Sequence, residues 1–311
     1  MLKLENVSKA YKTGTFGGKS LQAVKDISFT IKDGEVLSLI GESGSGKSTI
    51  GKMILRLISA TNGKISLDEK DIQEYPDKDY YRKVQGIFQD PFSCFNPIFK
   101  ADKVFRTVHE EFYPQIPEQE WQEKTLQTLR SVGLNPEHVM DKYPHQLSGG
   151  QLQRFLIARA LLLDIQFLVA DEIISMLDAS TRIDVLNLLA ELKARGLSIL
   201  FITHDLSLAN YISERAIILY RGCAAEIGDI ENVFNHPCHP YTQMLIASVP
   251  RLDMEWDHEI MSVEVSVNGG APASGCVYKG RCPCVFELCK ETPPMFEVAP
   301  GHLVSCWQYK K

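Results

Sequence analysis

The chain has 311 residues, 44% of them hydrophobic, which is an ordinary composition for a folded globular protein. At roughly 150 residues per domain, this length predicts about two structural units with a sizeable core. The net charge of -6 excludes a broad basic surface and therefore nonspecific binding of nucleic acid. The N-terminus lacks the apolar core of a secretory signal, and no stretch approaches the ~18 apolar residues that span a bilayer. We therefore expect a cytosolic chain.

Short apolar runs separated by longer helical patterns predict a parallel α/β sheet that is covered on both faces. The predicted strands are EVLSLIG (35–41), VQGIFQ (84–89), QFLVAD (166–171) and SILFITHD (198–205). Between about 92 and 150 the pattern is helical without a strand, which indicates an inserted helical subdomain. A further helix, RIDVLNLLAELKARG, is stopped by Gly196, and its buried stripe is predicted to be Ile183, Leu186, Leu189 and Ala190.

The segment GESGSGKST directly follows the first of these strands and matches G-x-x-x-x-G-K-[ST]. In such a loop backbone N–H groups surround phosphates, the lysine meets the β and γ oxygens, and the hydroxyl that follows binds Mg²⁺. A simple glycine turn would leave the Gly-Lys-Ser order unexplained. We expect the next helix to begin near Thr49. The predicted nucleotide-binding residues are Gly41, Ser43, Gly44, Ser45, Gly46, Lys47, Ser48 and Thr49.

Polar side chains follow several predicted strands, at the edge where open α/β sheets bind their ligands. Asp171 could hold Mg²⁺, and Glu172 could orient or deprotonate the attacking water; the alternative is an acidic pair that caps the next turn. Gln89 could contact Mg²⁺ or water, and His204 could donate to the γ-phosphate. Each of these two could instead be a satisfied polar residue at a strand end. Together, Gln89 and His204 predict a site that senses the γ-phosphate.

Two aromatic or polar features outside this edge also point to a nucleotide. Tyr11 could stack on an adenine face, although a tyrosine at a core edge is the more frequent case. YPHQLSGGQLQRFLIARAL contains a second anion site, in which Ser148 caps a helix and Gly149 and Gly150 let backbone N–H groups approach a ligand. This site has no lysine and no metal ligand, so we expect it to complete the phosphate pocket of a second subunit.

The motifs resemble, in type and order, those of the ATP-binding cassette (ABC) ATPases. They are GESGSGKST, FQDPF, LSGGQLQR, FLVADE, SMLD and ITHD, within about residues 1–235. The resemblance implies that two cassettes dimerise head to tail, and that Ser148, Gly149, Gly150 and Gln151 of each close on the ATP of the other. It places Asp178 in the D-loop at the dimer seam. It also implies that Gln89 and its neighbours transmit the conformational change of the dimer to the membrane subunits.

In the tail, HPYTQMLIASVP is followed by a cysteine-rich segment, and five of the eight cysteines lie after residue 275. These features resemble the C-terminal extension of the ATPases of oligopeptide and dipeptide importers. The resemblance implies that Cys276, Cys282, Cys289 and Cys306 hold a [4Fe-4S] cluster. Four thiolates also suit zinc, and the C-x5-C-x6-C-x16-C spacing does not distinguish the two. Such a staple would compensate for the little apolar surface that a small tail buries.

One position departs from the family pattern. The family usually follows this glutamate with proline, whereas the chain has Ile173. Because a fixed φ is lost, we hypothesise a competent but slower site with a more loosely held Glu172 carboxylate.

The resemblance implies an α/β fold: a P-loop NTPase (RecA-like) core with an inserted helical subdomain and a small Cys-rich C-terminal extension. The nucleotide-binding domain would span 1–235, with the helical subdomain at about 92–150, and the extension would span 236–311. The implied function is ATP hydrolysis that drives import of oligopeptides or dipeptides. Nickel chelates, another small solute, or a soluble ABC ATPase outside transport are the alternatives.

The same resemblance implies the partners and the location. The partners would be a second, related but different ATPase subunit, two transmembrane permease subunits and, through the complex, an extracytoplasmic substrate-binding protein. The chain would lie peripherally at the cytoplasmic face of the cell membrane.

Overall fold

The computed structural model describes residues 1–12, 20–249 and 274–310. Five parallel strands form the centre of its main sheet, in the order β9-β3-β8-β7-β6. They are β3 (Val36–Ile40), β6 (Val84–Ile87), β7 (Phe167–Asp171), β8 (Ser198–Thr203) and β9 (Arg215–Tyr220). The four strands predicted from their apolar runs are confirmed. β3, β7 and β8 are buried along their whole length, as expected for strands covered on both faces.

A second, antiparallel sheet packs beside the main one, in the order β2-β1-β4-β5. Its strands are β1 (Leu2–Lys12), β2 (Ser20–Ile31), β4 (Asn62–Leu67) and β5 (Lys70–Asp71). Its apolar face and the main sheet share one hydrophobic cluster with the helix that follows β3, in which Leu4, Ile31 and Ile50 are buried. The burial of this cluster fixes where the loop between β3 and that helix lies.

Ten α-helices occur in the described residues. They are α1 (Lys47–Ile54), α2 (Asp77–Lys83), α3 (Lys103–Phe112), α4 (Glu118–Ser131), α5 (Pro136–Val139), α6 (Gly149–Leu161), α7 (Ala179–Ala194), α8 (Leu206–Ile212), α9 (Ile230–Asn235) and α10 (Pro240–Ala247). Between β6 and β7 the chain forms α3 to α6 and no strand. The apolar faces of these four helices join α7 in a second hydrophobic cluster. Within the described segments, none of the helices has both the length and the apolar character needed to span a bilayer.

The predicted buried stripe of α7 is wrong at Ile183, which is 47% exposed. Leu186 and Leu189 are buried as predicted, and Ala190 is half-buried. The stripe also includes Val185, Leu188 and Leu192. At about 100° per residue, Ile183 lies roughly 160° around the helix from Val185, on the opposite side. Extending the predicted stripe from Leu186 back by three residues therefore assigned an exposed residue to the core.

The C-terminal extension joins the main sheet. β10 (Cys223–Asp229) pairs antiparallel with β9, β12 (His302–Val304) pairs with β10, and β11 (Phe296–Ala299) is the edge strand. The sequence predicted no strand in the tail, so β11 and β12 are an addition to that expectation. The tail also buries Tyr278 and two cysteines in a third cluster, against Tyr220 and Tyr241.

Candidate active site

A cavity of about 510 Å³ opens at the carboxyl edge of the parallel strands. It brings together side chains that follow β3, β6, β7 and β8: Ser43, Ser48, Gln89, Asp171, Glu172 and His204. A larger cavity of about 650 Å³ lies where β7 and β8 begin, beside Phe167 and Ser198. Because ligands of open α/β sheets bind beyond the carboxyl ends of the strands, the smaller cavity is the candidate active site.

The phosphate loop between β3 and α1 surrounds the buried ammonium group of Lys47. Lys47 is 5% exposed, and its Nζ donates to the carbonyl oxygens of Gly41 (2.7 Å) and Glu42 (3.0 Å). Burial lowers the pKa of Lys47, while the carboxylates of Glu172, Asp171 and Glu42 act against this shift. Ser45 Oγ is buried with no hydrogen-bond partner among the described residues. A polyanion in the cavity would offer acceptors to Lys47 Nζ and to the backbone N–H groups of the loop, so the loop fits a nucleoside triphosphate.

The backbone of this loop requires glycine at two positions. Gly44 and Gly46 have φ of 77° and 105°, in the left-handed region. A Cβ at Gly46 would lie 2.5 Å from the Ala23 carbonyl oxygen, whereas the space beside Gly44 is open. Helix α1 begins at Lys47, two residues before the predicted start at Thr49, so Lys47 and Ser48 belong to its first turn.

Oxygen atoms at the floor of the cavity suit a magnesium ion. Ser48 Oγ donates to Asp171 Oδ1 across 3.1 Å, and Gln89 faces the same space. Asp171 is 8% exposed, and burial raises the pKa of its carboxyl group. A divalent cation would favour the carboxylate form, and hydroxyl, carboxylate and amide oxygens are the ligands that Mg²⁺ accepts. The residues therefore fit the metal that the sequence predicts.

Glu172 lies at the mouth of the cavity with its backbone fixed. Its φ is 51°, its N–H donates to Ile202 O (3.0 Å), and its carbonyl accepts from Ser175 N (3.1 Å). Its Oε1 lies 3.4 Å from His204 Nδ1. Ile173 is buried in the adjacent core. These hydrogen bonds hold the backbone of Glu172 with isoleucine at 173; the looser carboxylate and slower turnover stay a prediction.

The second anion site has the local structure that the sequence predicts. Ser148 caps α6 by accepting from Gln151 N (3.2 Å), and Gln151 Oε1 accepts from Ser148 N (2.8 Å). This capping box occupies both side chains. Glycine at position 150 has a second explanation, which the sequence did not indicate. A Cβ at Gly150 would lie 2.5 Å from Thr181 Cγ2 on α7, whereas a Cβ at Gly149 would make only ordinary contacts. Gly150 thus permits close packing of α6 on α7.

Asp178 caps α7. Its carboxylate accepts from Ser180 Oγ (2.6 Å), Thr181 N (2.9 Å) and Thr181 Oγ1 (2.9 Å). These hydrogen bonds, with that of Ser180 the largest contribution, lower the pKa of Asp178. The geometry gives Asp178 a structural role in this chain; its place at a dimer seam stays a prediction.

Tyr11 lies on β1 opposite Leu21, is 36% exposed, and does not line the cavity. Lys9 Nζ lies 5.3 Å from the centre of its ring. Residues 13–19, which follow it, lie outside the described residues. Stacking of Tyr11 on adenine therefore stays a prediction.

The four predicted cysteine ligands gather in the tail. Cys276, Cys289 and Cys306 are buried and Cys282 is half-buried. Burial, with a smaller contribution from nearby Cys276, Cys282 and Cys289, raises the pKa of the Cys306 thiol to about 11. In the part of the chain that the structure describes, no three of these sulfur atoms lie within 4.8 Å of one another. Three cysteines outside the tail are half-buried: Cys94, Cys223 and Cys238.

A buried polar network beside the tail was missed by the sequence analysis. Glu226 is 0% exposed, and its carboxylate accepts from Cys238 N (2.9 Å) and His239 N (2.8 Å) and lies 2.7 Å from His302 Nε2. The Cys238 thiol lies within 4.8 Å of the same groups. Three donors already satisfy the carboxylate, so the network is complete as a tie between β10, β12 and the start of α10.

Comparisons with known proteins agree with this geometry. Residues 24–175 match the ABC transporter family, and residues 225–289 match the C-terminal region of oligopeptide/dipeptide transporters. The chain is 38% identical over 296 residues to the oligopeptide transport ATP-binding protein OppF of Salmonella typhimurium, covering 93% of this chain and 88% of that protein. It is 38% identical over 326 residues to AppF of Bacillus subtilis, an oligopeptide transport ATP-binding protein, covering 99% and 97%.

Solved structures show the same fold. A dimeric post-hydrolysis structure of the ATP-binding cassette MJ0796 with ADP and Pi has a TM-score of 0.66 and 31% identity, covering 74% of this chain and 99% of that one. The cbiO1 protein of Clostridium perfringens, part of the cbiONQ transporter complex, has a TM-score of 0.64 and 27% identity, covering 76% and 90%. The predicted P-loop NTPase fold is therefore confirmed. The chain belongs to the ATP-binding cassette family of transporter ATPases, in the branch that carries the oligopeptide/dipeptide transporter C-terminal region.

Proposed function

We propose that this chain is the ATP-hydrolysing subunit of an importer for oligopeptides or dipeptides. The observation that carries the proposal is the tail, since residues 225–289 match the C-terminal region of such transporters. Several relatives are described as peptide import or oligopeptide transport ATP-binding proteins. The cavity at the sheet edge supports ATP hydrolysis as the energy source.

The residues around the cavity divide the chemical work. Residues 41–49 would hold the phosphates through backbone N–H groups, and Lys47 would leave its carbonyl partners for the β and γ oxygens. Magnesium would be held by Ser48, Asp171 and Gln89, where it would neutralise charge on the phosphates. Glu172 would orient the attacking water and accept its proton, and His204 would donate to the γ-phosphate.

We infer that hydrolysis requires a second cassette. Ser148, Gly149, Gly150 and Gln151 would cover the ATP of the partner, and Asp178 would lie at the seam. Exposed apolar side chains near these segments support an interface, because Met176 is 61% exposed and Tyr143 is 38% exposed. MJ0796, a structural relative, is described as dimeric. The partner is proposed to be a related but different ATPase.

A groove beside the active site is proposed to receive a helical segment of one permease subunit. It has a volume of about 290 Å³, and Leu57, Phe88 and Cys94 contribute to its wall. Leu57 is 54% exposed, and more apolar surface lies nearby at Ile98, which is 75% exposed. Phe88 precedes Gln89 of the active site, so motion at the groove would reach the bound nucleotide. The chain would thereby lie peripherally at the cytoplasmic face of the membrane, in a complex with a substrate-binding protein.

We further propose that Cys276, Cys282, Cys289 and Cys306 hold a [4Fe-4S] cluster. When bound, the cluster would supply iron–sulfur bonds that tie separate segments of the tail together. Zinc with bonds of ~2.3 Å would draw four sulfur atoms to about 4 Å from one another. Four thiolates suit either group, so the metal content decides between them. Iron and sulfide contents of anaerobically purified protein, compared with its zinc content and with those of Cys289→Ser, test this assignment.

Reconstitution of the full complex tests the proposed function. The tagged chain would be coexpressed with the membrane and binding proteins encoded beside it, purified in detergent and placed in proteoliposomes. We expect ATP-dependent uptake of oligopeptides or dipeptides, and we expect Glu172→Gln to assemble normally without uptake. Uptake of nickel chelates but not peptides, or copurification with no membrane protein, would contradict the proposal.

A further inference from the structure

Arg281 of the cysteine-rich tail forms a bidentate ion pair with Glu42 of the phosphate loop. Arg281 Nη1 lies 2.9 Å from Glu42 Oε2, and Nη2 lies 3.0 Å from Oε1, although 239 residues separate the two in sequence. Two parallel N–H···O bonds fix orientation as well as distance, which a single contact does not. The tail therefore touches the second residue of the nucleotide-binding motif.

Every polar group of Glu42 is engaged in positioning the loop. Its N–H donates to Tyr241 Oη (3.1 Å), and its carbonyl accepts from Lys47 Nζ (3.0 Å). Tyr241 is fully buried at the start of α10. The carbonyl that restrains Lys47 thus belongs to a residue whose side chain and N–H are both held by segments beyond residue 235.

The environment of Arg281 fixes its guanidinium group. Its carbon Cζ lies 5.7 Å and 5.9 Å from the ring centres of Tyr220 and Tyr278, and its N–H donates to the Tyr278 carbonyl (2.9 Å). Arg281 directly precedes Cys282, and Cys276 N donates to Cys289 O (3.0 Å) at the base of the same loop. The backbone of the cysteine loop and the two tyrosine rings therefore help to set where the guanidinium lies.

We propose that Arg281 is a positioning residue for ATP binding, through which the cysteine loop sets the nucleotide affinity of the phosphate loop. By holding Glu42, Arg281 keeps the loop in the shape that receives phosphates, so less ordering is required when ATP binds. A lysine would retain the charge without the planar pair of donors, and could not hold Glu42 at two points. The inference rests on ATP binding at residues 41–49, and not on the identity of the transported solute.

Equilibrium binding of a fluorescent ATP analogue to the full chain tests this proposal. We expect Arg281→Gln to raise the dissociation constant about fivefold. A change of this size is expected when an ion pair is lost that is bidentate but partly exposed to solvent. Glu42→Gln should have a similar effect, and the double variant should be no worse than either single one, because the two residues act as a unit. Lys290→Gln, which removes an exposed ion pair with Glu287 in the same tail, should bind like wild type.

Two further measurements separate positioning from general damage to the tail. In ATP turnover, Arg281→Gln should raise KM with little change in kcat, and Arg281→Lys should fall between it and wild type. Cys282→Ser should raise the dissociation constant in the wild-type background and have no additional effect in Arg281→Gln. An unchanged dissociation constant in Arg281→Gln or Cys282→Ser, or fully additive effects of the Arg281 and Glu42 variants, would overturn the proposal. Thermal unfolding identifies any variant that fails to fold, and Arg281→Lys then decides the outcome.

Discussion

The hydroxyl of Ser48 donates a hydrogen bond to Asp171 across 3.1 Å, joining residues that are 123 positions apart. Ser48 lies on the first turn of α1, and Asp171 ends β7. The parallel pairing of β3, β8 and β7 brings their carboxyl ends to one edge, so the two motifs meet there. The contact joins the phosphate loop to the acidic pair.

Ser48→Ala should weaken the use of magnesium more than the binding of nucleotide. The substitution removes one oxygen ligand, so we expect the Mg²⁺ concentration for half-maximal ATP turnover to rise by about tenfold or more. ATP binding measured in excess EDTA should be unchanged. Equal Mg²⁺ dependence in variant and wild type would show that this hydroxyl is not a ligand.

Gly150→Ala should destabilise the fold by about 1–3 kcal/mol, because the new methyl group would overlap Thr181 Cγ2. Thr181→Ser removes that methyl and keeps the hydroxyl that Asp178 accepts. The double variant should therefore recover most of the stability, as measured by urea unfolding. Gly149→Ala, where only contacts of 3.8 Å arise, is the matched control. No recovery in the double variant would contradict the packing argument.

Acid should destabilise the protein through His239. Burial lowers the pKa of His239 from 6.5 to about 4, and its Nδ1 accepts from Tyr241 N, so the folded state requires the neutral ring. Between pH 6.5 and 4, His239 is protonated in the unfolded chain but stays neutral in the folded chain. The free energy of unfolding therefore falls as the pH falls from about 6.5 to about 4. Between pH 6.5 and 5 we expect a loss of roughly 1.6 kcal/mol.

His239→Asn preserves an acceptor at this helix N-terminus without a titrating ring. Its unfolding free energy should therefore depend less on pH over that interval than that of wild type. Identical pH profiles from urea titrations of the two proteins would show that His239 does not cause the acid sensitivity.

Local patterns predicted the parts of the site that local physics determines. The strands were recognisable because both faces of the sheet are covered, and the Ser148 cap followed from a side chain three residues from its partner. Motif order then located Lys47, Asp171 and Glu172. The side of a helix that faces the core was harder to predict. Ile183 fits the apolar spacing of α7 but lies on its exposed side.

Contacts between distant segments could not be predicted from one sequence. The pair Arg281–Glu42 and the network around Glu226 join residues that only the packing of the tail brings together. Gly150 was assigned to ligand approach because nothing in the sequence indicates that α7 packs against it. In each case the missing information was the tertiary neighbour, which residue type and spacing do not specify.

The central claim is that ATP is hydrolysed in the cavity at the carboxyl edge of the sheet, with Glu172 acting on the water. The most direct measurement compares ATP binding and ATP turnover of wild type and Glu172→Gln in the assembled transporter. We expect similar ATP affinity and a fall in turnover of about a hundredfold or more, the usual scale for loss of a general base. Turnover within a few-fold of wild type in Glu172→Gln would contradict the claim.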